Sequence, residues 1–383
     1  MLPRERVLAA INHEEPDRVP IIIGGSAGKF YASAARTLAR HFGIPEAELQ
    51  PVPAGFKYIL FHEKLWQELG VDVRFLYPQS CKKELYEAQQ TGGEYVDEWG
   101  SKYKFTDPDG AWVDIETKPV LADADIPAIE AYPWPEPDAL LIEGLRDRAE
   151  ALHREGKYAI AVNRPFAGGI FDTAKYALRG TEQFLMDLAL NQDLVGVLLD
   201  KVCHVQKRYY GMLLDEVGDL SDIIEIEDDL GSQHAPLISP KMYRQLIKPK
   251  HAELVSFIKQ KAPHIKVLMH SDGAIRDFLP DFIEIGIDVV NPVQPGAGGM
   301  ILDELKHEFG DHITFAGAVD VVGDHGLRGS ADDVTTCVKQ TIDALAPGGG
   351  YLLGPSHNFG PEIPAENILL MTEIAREYGR YAR

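Results

Sequence analysis

Cysteine is scarce in this chain: its 383 residues hold three, Cys81, Cys203 and Cys337. An odd, sparse set with no C-x-x-C pair excludes a disulfide framework. Long apolar runs are missing too. Although 45% of the residues are hydrophobic, no run approaches the roughly 18 residues of a membrane span, so no membrane association is expected. An excess of basic charge is also lacking. The formal net charge is -21, which argues against nucleic acid, because phosphate binding needs a basic surface. The opening residues, MLPRERVLAAINHEEPDRVP, are charged throughout and contain no signal-peptide core. These absences leave a soluble, cytoplasmic, globular protein as the expectation.

What is present is a series of short apolar runs rich in β-branched residues. They are Val19 to Ile23, Val71 to Tyr77, Tyr158 to Val162, Ile223 to Glu227, Ile265 to Met269, Ile287 to Val290, Ile313 to Ala316 and Tyr351 to Leu353. Runs this short and apolar suit parallel strands buried on both faces. Helical patterns lie between most of them, as at Thr181 to Arg208, Lys241 to Lys259 and Ala331 to Leu345. Eightfold strand–helix alternation predicts an α/β fold, a closed (β/α)8 TIM barrel formed as one domain over residues 1–383. A doubly wound open sheet is the alternative, but no G-x-G-x-x-G follows the first run. Residues 78–135 break the rhythm. The segments EYVDEWG and SKYKFTDPDGAWVDIE surround a D-P-D-G turn and predict a β-hairpin inserted after the second strand.

Residues just after each strand of such a barrel converge on one pocket. Here they are Tyr77; Asn163 and Arg164; Glu227, Asp228 and Asp229; His270, Ser271 and Asp272; Asn291 and Gln294; Asp320; and His357. Two histidines and several carboxylates describe a metal site or an acid–base site. Each residue also has a structural reading. His270 suits backbone bonding at a strand end. His357 suits an exposed loop. Asp228, Asp229 and Asp272 suit helix N-caps. Asn291 and Gln294 suit loop fixation. The joint placement favours function. His270 and Asp272, two apart at a strand end, point to the same side and are able to ligate one ion. Together with His357 and a carboxylate such as Glu227, they make a tetrahedral nitrogen–oxygen zinc shell. The expected metal ligands are therefore His270, Asp272, His357 and Glu227. The expected catalytic groups are His270, His357, Asp228 and Asp229, with Tyr77, Asn163, Arg164, Asn291 and Gln294 on the substrate.

Several blocks resemble the uroporphyrinogen decarboxylase superfamily: RERVLAAINHEEPDRVP at the start, DDLGSQHAPLISPKMYR (228–244), HSDGAIRDFLPDFIEIGIDVVNPVQP (270–295), FGDHITFAGAVD (309–320) and GGGYLLGPSHNFGPEIPAENI (348–368). They are spread over the whole chain, and the resemblance implies the barrel fold. The superfamily holds two chemistries. Its decarboxylases work without a cofactor and carry an R-Q-A-G-R-Y loop after the first strand and an F-S-D-I segment near the second. This chain has GGSAGKFY (24–31) and FLYPQS (75–80) there, so the substrate-carboxylate arginines and the pyrrole-binding aspartate are missing. His357 does match the decarboxylase histidine by its spacing to Pro364 and Asn367. The other branch, the corrinoid-linked methyltransferases, resembles the chain more closely around His270. That branch implies an H-x-C pair plus a later cysteine on zinc, where this chain has His270, Asp272 and His357.

Oxygen and imidazole ligands leave more positive charge on the ion than thiolates do, which suits a Lewis acid toward an ether or amine donor. The resemblance thus implies a methyltransferase that takes a methyl group from a small methylated donor, such as a methoxylated aromatic or a methylamine-type compound. The acceptor is cobalamin-type corrinoid on a separate protein, because no corrinoid-binding D-x-H-x-x-G pattern occurs here. Two alternatives stand: a cofactor-free decarboxylase of another carboxylated substrate, and a non-catalytic binding protein on the same barrel. A homodimer is compatible with all three. Without the arginine loop and the aspartate, the chain is expected not to convert uroporphyrinogen. Coproporphyrinogen formed at an enzymatic rate in a direct assay contradicts that expectation.

Overall fold

The computed structural model describes residues 1–49, 58–59, 62–79, 93–105, 113–115 and 118–381. Two short strands, β1 (Phe30–Tyr31) and β2 (Tyr58–Ile59), pair antiparallel at the rim. The barrel wall is built from β3 (Val73–Leu76), then β7 (Ala159–Val162), β8 (Ile223–Glu227), β9 (Lys266–His270), β10 (Val289–Val293), β11 (Thr314–Val319) and β12 (Tyr351–Pro355). All seven are parallel neighbours in chain order. Between them in sequence, β4 (Glu94–Val96), β5 (Lys102–Phe105) and β6 (Val113–Ile115) form a separate antiparallel sheet. Helices separate the wall strands, and the fold is a (β/α)8 barrel.

The eighth position of the wall belongs to Val19 to Ile23, expected as the first strand. It is not a regular strand but sits in one's place. Leu353 N donates to Pro20 O, Ile22 N to Leu353 O, and Asp72 N to Ile21 O, so it bridges β12 to β3. Two local causes thin the ladder. Pro20 has no N–H to give, and Ile21 N donates instead to the Asp72 carboxylate at 2.7 Å. Asp72 is fully buried and also receives Arg6 Nη1 at 2.6 Å and Arg18 Nη1 at 2.9 Å. The barrel seam is therefore closed by one carboxylate as much as by main-chain pairing.

Side-chain alternation along each strand sorts the core into two parts. Ile160, Val162, Ile224, Ile226, Val267 and Met269 face the helices. Phe75, Ala159, Ala161, Ile223, Leu268, Val289, Ala316 and Leu352 fill the barrel, plugged below by Val7, Ala10 and Ile11 of helix Pro3–Ile11. The insertion follows β3, where the hairpin was expected, but it is a three-stranded meander. A turn at Asp97–Gly100 joins its first two strands, and the D-P-D-G turn lies outside the described residues. Trp99 anchors it, buried against Phe166 (ring centroids 5.1 Å) and Trp134 (6.5 Å). Among the described residues no helix is long and apolar enough to cross a membrane.

Asp72→Ala is expected to cost about 3–5 kcal/mol, because it leaves the Arg18 guanidinium without its carboxylate at a buried seam and Arg6 with Asp17 alone. Urea unfolding of the variant measures it, and a loss under about 1 kcal/mol contradicts the seam account.

Candidate active site at the carboxyl ends of the strands

The ends of β8 and β9 bring several ionisable groups together in the barrel mouth. His270, the last residue of β9, is 4% exposed. Its Nδ1 faces Asn291 Oδ1 at 3.3 Å. Read as a donor at Nδ1, the ring presents the lone pair of Nε2 to the pocket. That nitrogen lies 4.0 Å from Asp229 Oδ1 and 4.0 Å from Asp272 Oδ2. His357 Nε2 reaches the same Asp272 oxygen at 3.3 Å. His270, Asp229 and Asp272 offer one ligand atom each, all within 4.8 Å of one another.

The structure separates the two neighbouring aspartates expected as catalytic groups. Asp228 is not in the pocket. It is fully buried, and its carboxylate accepts Phe171 N at 2.9 Å, Asp172 N at 2.8 Å and His251 Nε2 at 2.6 Å. His251 is held in turn by Tyr243 Oη at 3.0 Å. Asp228 thus fixes the helical turn after β7 against the end of β8. The fit needs glycine at 169, where a Cβ would meet Glu227 O at 1.4 Å. Asp229 faces the other way, into the pocket, and its Oδ1 accepts Asp272 N at 3.0 Å.

Glu227 is likewise displaced from the expected ligand set. Arg164 pairs with it, and it groups with Asp172 and Asp229 rather than with His270. Gln294 accepts Gly273 N at 2.6 Å and so fixes the loop after β9. Asn163 donates to Glu225 at 2.6 Å, and Tyr77 Oη accepts Gly25 N at 3.0 Å. Asp320 accepts Val322 N and Gly323 N within its own loop. Three further charged groups stand in the barrel mouth. Glu225 is fully buried inside the barrel, and its position two before Glu227 in IIEIE was the available signal. Asp172 binds Asp229 N at 2.7 Å and pairs with Lys175 at 2.7 Å. Lys29, in the loop after the first wall segment, is 5% exposed.

A charge count explains the electrostatics. Arg164 answers Glu227 and Lys175 answers Asp172. Asp229 and Asp272 are left with His357. Burial and then Asp272 push Asp229 up to about 6, and burial and then Asp229 push Asp172 up to about 7. Burial lowers His270, keeping it neutral. Burial also opposes charge on His357, but the hydrogen bond and charge of Asp272 outweigh it and raise its pKa. Asp272 is held low, the pull of His357 and His270 overcoming burial. Its buried Oδ1 has no partner among the described residues.

Residues 111–378 match the uroporphyrinogen decarboxylase (URO-D) family. The chain belongs to this family. Two URO-D relatives, uroporphyrinogen decarboxylases of Aliarcobacter butzleri (strain RM4018) and Sulfurimonas denitrificans (strain ATCC 33889 / DSM 1251), are each 24% identical, over 210 and 211 residues. The matches cover 53% of this chain and 56% and 55% of the relatives, so the chain spans about half the length of the curated relatives it matches. A methyltransferase from Methanosarcina mazei shares the fold over 99% of each chain, with a TM-score of 0.66 and 20% identity.

The two aspartates of this URO-D site should respond oppositely. Asp228→Ala should cost roughly 3–5 kcal/mol, since it orphans two amides and His251. Asp229→Asn keeps the acceptor for Asp272 N, so in metal-free protein at about pH 4, where the parent carboxyl is still protonated in the folded state, it should stay within about 1 kcal/mol of the parent. A carboxyl group raised in the folded state costs stability as pH climbs from its unfolded toward its folded value. The Asp229→Asn variant should therefore gain on the parent between pH 4 and about 7. Urea midpoints across that range decide it, and a parent that gains on the variant as pH rises contradicts the charge count.

Proposed function

We propose that this chain is a methyltransferase of the URO-D family that removes a methyl group from a small methylated donor, with zinc bound at His270, Asp229 and Asp272, and that a reduced corrinoid on a separate protein accepts the methyl. The observation that carries the reading is the cluster itself. A neutral imidazole is oriented by Asn291 and aimed between two carboxylates, one of which has a buried oxygen with no partner. The donor set suits zinc, which takes imidazole nitrogen and carboxylate oxygen. The charge suits it as well, because two carboxylates share one histidine as counter-charge. The shared fold with a methyltransferase is consistent with this reading.

A zinc ion there supplies Lewis-acid stabilisation of the negative charge that grows on the donor atom as its bond to methyl breaks. The chain's own groups do the rest. Asn291 fixes the His270 ring so that Nε2 faces the pocket. Asp172 holds the main chain at Asp229, and Gln294 holds the loop that carries Asp272. His357, whose pKa Asp272 raises against the effect of burial, faces an Asp272 oxygen through Nε2 and is placed to protonate the demethylated product. Glu225 and Tyr77 hold the glycine-rich loop after the first wall segment, which frames the opposite side of the mouth.

Purified protein is expected to hold about one zinc per chain and to methylate a reduced corrinoid protein from a methylated donor. His270→Ala is expected to lose both metal and methyl transfer, with its circular dichroism unchanged. Elemental analysis beside the transfer assay measures both. A parent protein without metal that gains no activity with added zinc contradicts the Lewis-acid reading. It then favours the decarboxylase-type alternative, in which the proton on His357 does the chemistry.

A further inference from the structure

A relay of buried donors and carboxylates runs from the helix layer to the strand ends. It starts at Tyr243 and His251, 0% and 1% exposed. Tyr243 opens a π-helical turn, Tyr243–Ile247, and His251 stands in the α-helix Lys248–Lys261 that continues it. On a regular α-helix, residues this far along the chain from one another stand about 80° apart around the axis. The wider π turn takes up one residue and brings the two onto one face, where Tyr243 Oη meets His251 Nδ1 at 3.0 Å. Tyr243 is wedged in turn against Phe278, the ring centroids 4.9 Å apart. Read with its proton on Nε2, His251 accepts the tyrosine hydroxyl and donates to Asp228 Oδ2 at 2.6 Å.

From Asp228 the relay passes along carboxylates, each of which holds the main-chain nitrogen of the next. Asp228 Oδ1 accepts Asp172 N at 2.8 Å, Asp172 Oδ2 accepts Asp229 N at 2.7 Å, and Asp229 Oδ1 accepts Asp272 N at 3.0 Å. The last two members, Asp229 and Asp272, flank His270 Nε2 at 4.0 Å each. Asp228 also reaches His270 directly, its N–H donating to His270 O at 2.9 Å. A second π-helical turn, Thr173–Arg179, follows Asp172 and brings Lys175 back to it. Because Asp228 is fully buried, its carboxylate depends on the donors around it. Phe171 N and Asp172 N reach it from the turn after β7, and His251 reaches it from the helix layer. Without His251, Oδ2 keeps only the Phe171 amide, and the grip of Asp228 on Asp172 slackens.

We infer that His251 and Tyr243 are positioning residues for the site at the strand ends: through Asp228 and Asp172 they set where the main chain holds Asp229 and Asp272. The consequence for zinc rests on the proposed methyltransferase reading; the positioning does not. The barrel below is closed by its own ladders and apolar filling, so the relay governs the strand-end loops and not the fold. Groups that stand behind a metal's ligands fix the direction of those ligands and so govern affinity.

Hydrogen exchange read by mass spectrometry on metal-free protein tests this, beside zinc affinity measured against a competing chelator. His251→Leu removes the donor, Tyr243→Phe removes only the hydroxyl, and His251→Gln returns an N–H near the place of Nε2. Loss of the buried bond in His251→Leu should speed exchange about tenfold in peptides that hold the amides of Asp172, Asp229 and Asp272, and leave β11 at the parent's rate. Zinc should be held about tenfold more weakly. Tyr243→Phe should shift both in the same direction by less, and His251→Gln should stay near the parent. A purely structural histidine would quicken exchange in β11 alike, and that result overturns the inference. So does parent-like exchange at Asp229 and Asp272 in His251→Leu or, if that variant does not fold, in Tyr243→Phe. Parent-like zinc affinity in a folded His251→Leu overturns it too. A parent that takes up no zinc overturns the metal reading, while the exchange pattern still decides the positioning.

Discussion

Two half-buried carboxylates that share too little positive charge set the terms for this barrel mouth. Asp229 and Asp272 face each other across His270 with only His357 to offset them, while Arg164 and Lys175 are committed to Glu227 and Asp172. Like charges this close, partly shielded from water, raise one another's free energy unless a proton or a cation intervenes. Burial and then the charge of Asp272 raise the pKa of Asp229. The surrounding structure prevents relief by movement. Asp172 ties the main chain at Asp229, Asp229 ties the main chain at Asp272, and Gln294 ties the next residue.

That rigidity is inherited from the apolar barrel below. Residues on β7 to β10 alternate between the helix layer and the barrel interior, so the polar residues at their upper ends inherit a fixed direction. Asp228 shows what the alternation accomplishes. Turned toward the helix layer, it ties Phe171, Asp172 and His251 to the end of β8. Its neighbour Asp229 is thereby left to the pocket. One residue forms part of the frame, the next part of the site.

Much of this was legible in the sequence. Parallel strands buried on both faces read as short apolar runs, and seven of the eight runs are wall strands within a few residues of their expected ends. The eighth, Val19 to Ile23, holds a wall position without a regular ladder, because Pro20 and the Asp72 carboxylate remove two of its bonds. The convergence of His270, Asp272 and His357 followed from their shared place after strands. What could not be read depends on distant partners. Nothing near Asp228 shows that an amide 57 residues away will claim it. Glu227 looks like a ligand until Arg164 reaches it. Lys29 sits in a short glycine-rich loop that looks solvent-facing, and its burial depends on Asn358 and Phe359 at the far end of the chain.

The proposed metal is bound only by nitrogen and oxygen, where the resemblance to the corrinoid-linked methyltransferases implies thiolates. Zinc-edge X-ray absorption of the loaded protein tests it most directly. The expected first shell holds only nitrogen and oxygen scatterers at about 2.0–2.2 Å. A sulfur shell at about 2.3 Å, or a spectrum of hydrated zinc bound at no fixed site, would contradict it.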